Sequence, residues 1–80
     1  MLTGRQIRQA RRLLRWDRVK FCRFVLLSQI AVEAMESSDS AAWLTDEQEA
    51  NIRRACEGAG ICFEVDVDGQ PAAVMVGAVP

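Results

Sequence analysis

Residues 17–36 read DRVKFCRFVLLSQIAVEAME, and this stretch decides the fold. Asp17 and Ser28 are good N-cap residues, whose side chains can accept a backbone N–H from the helical turn that follows. From Asp17 the spacing predicts a short helix through about Val25. A helical wheel places Phe21, Cys22 and Val25 on its core side; Val19, Lys20 and Arg23 point elsewhere, and Phe24 sits at the margin. Ser28 opens a second helix through about Glu36. Ala31, Val32 and Met35 share one of its sides, and Gln29, Ile30 and Glu33 share the other.

Upstream, Thr3 followed by Gln6 has capping-box spacing and opens a helix to about Leu14. Ile7, Ala10 and Leu14 recur at helical spacing as an apolar stripe. Arg5, Arg8, Arg12 and Arg15 form a basic stripe on the opposite side. Downstream, Ser37-Ser38-Asp39-Ser40 is a loop by composition. Trp43 and Leu44 are expected to anchor the connection to the core. Thr45 with Gln48 repeats the capping-box spacing and starts a helix to about Glu57. Its stripe is Ile52, Ala55, Cys56 and Ala59, and Gly58 and Gly60 are its stop signal.

The tail changes period. In ICFEVDVDG, Ile61, Phe63, Val65 and Val67 alternate with Cys62, Glu64 and Asp66, as in a strand. Asp68-Gly69 is a hairpin-turn signal, and Ala72–Val76 returns as a second strand. Pro71 demotes the start of that strand to an edge or irregular segment. A lone two-stranded hairpin is marginal in water, so it must pack on the helices or pair with another copy of itself. The fold expected is mainly α, with a helical domain over 1–60 and a strand or hairpin extension of the same domain over 61–80.

Eighty residues allow one modest core, and half of them are hydrophobic, too many for a disordered chain. No apolar run approaches the roughly 20 residues of a membrane span, and the first residues do not resemble a secretory signal. A cytoplasmic location is therefore expected. Cys22, Cys56 and Cys62 are odd in number and irregularly spaced, and the chain lacks histidine. They read as small buried hydrophobes rather than metal ligands. With no histidine base, phosphate loop or nucleophile motif, the chain is not expected to be an enzyme or to need a cofactor.

Charge is strongly segregated. Eight of the ten basic residues lie within positions 1–23, opposed there by Asp17 alone. That end carries +7, and residues 24–80, with two arginines and ten acids, carry −8. A single-signed surface steers encounters with opposite charge, so the basic end is a clue to partners.

N-caps at Asp17 and Ser28 match a helix-turn-helix. The segment LTGRQIRQARRLLRWD resembles the opening of small bacterial regulators of the Cro/repressor-like (XRE) helix-turn-helix family. Their usual run is Gln-Ile-Arg-x-Ala-Arg-x-Leu-Leu-Gly-Trp-Ser. The chain keeps Gln6, Ile7, Arg8, Ala10, Arg11, Leu13, Leu14 and Trp16, with Arg15 for the Gly and Asp17 for the Ser. IRRACEGAGICFEVDVDG is similar to the last helix and C-terminal strand of the same regulators. The resemblance implies a four-to-five-helix domain. It places DNA contacts at Arg18, Val19, Ser28, Gln29, Ile30 and Glu33. Arg18 stands where glutamine is usual, Val19 replaces a polar residue, and Leu26 fills a turn position normally held by glycine. The helix SQIAVEAMES has two glutamates and no Lys or Arg.

Two functions compete for these residues. For DNA, Arg18, Lys20 and Arg23 can hold phosphates, Gln29 can read adenine, Glu33 can read cytosine, and Ser28 lies at the helix start. Ile30 and Val19, however, would face a polar, hydrated groove. For protein contact, Val19, Phe24, Leu26 and Ile30 form an apolar patch rimmed by Arg18, Lys20 and Arg23, as interfaces are. Burying about 400 Å² of it corresponds to on the order of 10 kcal/mol gross, against which association costs must be set. The reading favoured is a regulatory domain that acts by protein contact, as an antiactivator or co-regulator of a transcription factor. Its competitor is a sequence-specific DNA-binding repressor of the XRE family, dimeric through its C-terminal strands. A third class is a toxin–antitoxin or phage-type inhibitor of an unrelated protein.

Overall fold

A computed structural model of the chain describes residues 2–38, 42 and 44–76. Four helices precede a two-stranded antiparallel hairpin: α1 (Gly4–Leu14), α2 (Arg18–Val25), α3 (Gln29–Glu36), α4 (Asp46–Gly58), β1 (Ile61–Val65) and β2 (Pro71–Met75). The domain is small and mainly helical. No helix among the described residues is long and apolar enough to cross a membrane. Trp43 and the Asp39-Ser40 part of the loop lie outside the described residues, while Leu44 packs half-buried against the core.

Each helix starts where its cap dictates. Thr3 Oγ1 accepts the Gln6 N–H (3.2 Å) and Gln6 Oε1 accepts the Thr3 N–H (3.0 Å), closing a capping box. Thr45 and Gln48 repeat this reciprocity at 2.9 and 3.1 Å. Asp17 Oδ1 takes the Lys20 N–H (2.7 Å) and Ser28 Oγ the Ala31 N–H (3.1 Å). These bonds satisfy N–H groups that an α-helix leaves without partners at its first turn. Most of the core is formed by the periodic residues Ile7, Ala10, Phe21, Val25, Val32, Ile52, Cys56 and Ile61, joined by Leu2 from ahead of α1. Cys22 is buried too, whereas Cys62 is only half-buried, because it lies on the strand face turned away from Ile61.

Two helices end on left-handed residues that are not glycine. Arg15 (φ 57°) follows α1, with Arg15 N–H donating to Arg12 O and Trp16 N–H to Arg11 O. That pairing is the Schellman arrangement. Leu26 (φ 61°) follows α2, and its N–H and that of Leu27 both reach Cys22 O. Close packing is most severe where α1 begins against the end of α3: a Cβ on Gly4 would collide with Met35 O and Ser38 O.

The hairpin differs in detail from the expectation. β1 ends at Val65, and Asp66 pairs with Gln70 across the three-residue loop Val67-Asp68-Gly69. Asp66 Oδ1 accepts the N–H groups of Asp68 and Gln70, and Gly69 is left-handed (φ 79°). The loop is therefore a turn closed by an aspartate rather than a two-residue Asp-Gly turn, and Val67 stands exposed at its tip. Pro71 opens β2, which is an edge strand of the two-stranded sheet, as expected. Asp66 N–H to Gln70 O and Val76 N–H to Gly60 O bracket the ladder, so Val65/Pro71 falls at a non-hydrogen-bonded pair. No ladder bond is lost there. The hairpin packs on the helices, with β2 along α1: Gln9 Oε1 accepts the Ala73 N–H (3.0 Å) and Gln6 Nε2 donates to Ala72 O (3.3 Å).

Candidate partner-binding surface on the second and third helices

Local sequence positions this surface. Phe21, Cys22 and Val25 pin one side of α2 to the core, so Val19, Lys20, Arg23 and Phe24 must face outward. Val19 and Arg23, then Lys20 and Phe24, stand four apart and form adjacent rows on the helix. Together with Asp17 they line one shallow groove of about 570 Å³. Val19, Phe24, Arg23 and Lys20 are thus brought together.

Trp16 extends the surface and was not singled out in the sequence. Its indole stacks on Phe24, with ring centroids 4.7 Å apart and planes at 20°, and Lys20 Nζ lies 5.9 Å from the Trp16 ring. The signal was present: Trp16, Lys20 and Phe24 are spaced four apart, with Trp16 just ahead of the helix.

Leu26 and Ile30 are the most exposed apolar residues of this region, at 71% and 82%, although neither lines the groove. Leu26 is exceptional on two counts. Its αL backbone costs roughly 1–2 kcal/mol for a residue with a Cβ. Its side chain contributes little to the core, since it points to solvent.

The polar candidates divide. Arg18 is drawn inward, with Nη2 3.5 Å from Glu36 Oε1 and Nη1 3.9 Å from Glu33 Oε2. Its Nε is buried without a hydrogen-bond partner. Glu33 is thereby engaged by a cation of the same domain. Ser28 holds the start of α3, and Gln29 is exposed there.

The expected basic stripe, Arg5, Arg8, Arg12 and Arg15, is not uniform, because its first two members are engaged within the domain. Arg5 lies 3.6 Å from Asp66, Arg8 donates to Glu36 O at 2.7 Å, and Arg11 grips Glu36. α1 is flanked by α3 and by the hairpin, so these guanidinium groups meet acceptors there. Arg15 is a cap and not part of the helix. Among the described residues, Arg12, Arg15, Lys20 and Arg23 form no ion pair, and all four are exposed. The sequence also gave no warning of Glu36, whose side chain is 3% exposed. It accepts Arg11 Nε and Nη2 at 2.7 and 2.9 Å.

The surface therefore offers exposed aliphatic and aromatic groups beside uncompensated cations, next to a helix without a basic residue. No protein-family model matches the chain, and no curated protein or solved structure matches it.

Proposed function

We propose that this chain is a helix-turn-helix transcription-regulatory protein that works mainly through protein–protein contact, as an antiactivator or co-regulator of a transcription factor. α2 and α3 form the two helices of the motif, with Leu26 in its turn. The single observation that carries the reading is Leu26 itself: a strained, left-handed leucine held in solvent, where glycine would be easier. Val19, Phe24 and Ile30 add exposed apolar surface on the same two helices, and Arg23 stands among them. Exposed apolar groups with arginine at the rim suit a protein partner. The helix that reads base edges in a DNA-binding member has no cation here, and Glu33 faces Arg18.

One observation favours the second reading, a DNA-binding repressor of the XRE family acting as a dimer. Arg12, Arg15, Lys20 and Arg23 are exposed cations able to hold phosphates, and Gln29 is free to reach a base edge.

Titrating the purified chain with random-sequence duplex at low and high salt separates the two. Protein contact predicts weak binding with a shallow salt slope; a steep slope favours DNA. Ile30→Asp is the sharper companion. It should leave thermal stability unchanged and abolish capture of the regulated transcription factor.

A further inference from the structure

The groove lined by Val19, Phe24, Lys20 and Arg23 is chemically lopsided. Its one acid, Asp17, is held as the α2 cap by the Lys20 N–H, and Lys20 and Arg23 form no ion pair among the described residues. Beside them, Trp16 and Phe24 each turn one ring face to the other, giving a continuous aromatic ledge next to aliphatic Val19. From this we infer that the groove seats an acidic amphipathic helix of the partner protein, its apolar side chains on Val19 and Phe24 and its carboxylates on Lys20 and Arg23. The inference rests on the protein-contact reading above and names the occupant.

Two physical reasons select a helix. α2 has its backbone groups bonded within itself and offers no open edge for an added strand, so recognition must run through side-chain rows. The rows Val19/Arg23 and Lys20/Phe24 have the spacing into which a second helix sets its own ridges. Charge selects the sign, since two cations, Lys20 and Arg23, outnumber the one capping carboxylate of Asp17, and the excess favours carboxylates on the rim. A nucleic-acid strand suits it less. Trp16 and Phe24 spend one ring face each on one another and Val19 offers no stacking surface, which leaves less ring face for bases.

The test uses the full chain, isotope-labelled, and a synthetic helical peptide of about 18 residues with Leu and Phe along one face and Glu along the other. Amide shifts should concentrate at residues 16–24. A scrambled peptide of equal composition and a Lys-for-Glu peptide should bind at least about tenfold more weakly. Lys20→Glu combined with Arg23→Glu should reverse the preference, binding the Lys peptide better than the Glu peptide, while the protein stays folded because both side chains are exposed. Absence of shifts at residues 16–24 up to roughly 1 mM peptide overturns the inference, as does equal binding of all three peptides. Shifts there with a single-stranded oligonucleotide and none with the peptide overturn it in favour of nucleic acid. If the peptide fails but Ile30→Asp still abolishes capture of the transcription factor, the groove assignment falls and the protein-contact function stands. If duplex binds with a steep salt slope through residues 28–33, both fall.

Discussion

Arg11 and Glu36 form a two-pronged ion pair, Nε to Oε2 at 2.7 Å and Nη2 to Oε1 at 2.9 Å, that fastens α1 to the last residue of α3. Arg18 brings α2 to the same carboxylate at 3.5 Å. Three helices thus converge on one buried acid, and the orientation of the exposed faces of α2 and α3 depends on it.

Removing only one partner should be costly. Glu36→Ala leaves Arg11 without its carboxylate and Arg18 with Glu33 alone, and should lower stability by about 3 kcal/mol, since breaking a buried pair strands the remaining charge. Arg11→Met together with Glu36→Leu should lose less than the sum of the single changes. Thermal melts of the four proteins give the coupling; strict additivity would show that the pair is not a unit.

Leu26→Gly should separate fold from function. Glycine relieves the left-handed backbone and should stabilise the domain by up to about 1 kcal/mol, a rise of roughly 4–8 °C in Tm. Partner affinity should drop at least about tenfold. A lower Tm would mean that the leucine side chain packs in a way its exposure does not suggest.

Gly4→Ala should do the opposite to the core. The added methyl meets backbone carbonyls of Met35 and Ser38, which cannot swing aside as a side chain can. Overpacking of this kind costs about 1–3 kcal/mol, read as a lower urea midpoint.

Acid should weaken the domain in part through Glu49. The Leu2 N–H donates to Glu49 Oε1 at 3.0 Å and, with Arg53, holds the carboxyl below its ordinary value against a smaller opposing effect of burial. A lowered folded-state pKa contributes stability that is fully present above the unfolded value, about 4.3, and is lost as pH falls through the folded one. Glu49→Gln should therefore flatten the stability profile below about pH 4.5. An unchanged acid limb would remove Glu49 from the account.

Thiol reactivity should follow burial. Burial pushes the Cys56 thiol up to about 12 and also raises Cys22, which lowers the thiolate fraction of both. Iodoacetamide at neutral pH should label half-buried Cys62 first, with Cys22 and Cys56 reacting only on denaturation; mass spectrometry of the peptides checks the order.

What could be read in the chain was local. Thr3, Asp17, Ser28 and Thr45 announce helix starts because a cap bond spans only three residues. Phe21, Cys22 and Val25 announce a buried face because helical periodicity is a property of neighbours. The hairpin slipped by a few residues because Asp66, and not Asp68-Gly69 alone, closes its loop. Val19 and Ile30 were placed off the core side by the same periodicity, whereas Phe24 stood at the margin of the wheel and Leu26 in the turn, and packing left both exposed.

Sequence by itself therefore determined the four helices, the hairpin and the apolar character of the α2–α3 surface. Tertiary structure alone decided which charges remain available. Arg5, Arg8, Arg11 and Arg18 look like Lys20 and Arg23 in one dimension, yet packing against α3 and the hairpin gives the first four internal acceptors. Pair energies depend on separation in space and on desolvation, neither of which sequence spacing records across 25 residues between Arg11 and Glu36. Trp16 stacks on Phe24 through local helical spacing, and with Arg5, Arg8, Arg11 and Arg18 drawn to internal acceptors, Lys20 and Arg23 beside that ledge turn a diffuse basic end into a defined surface.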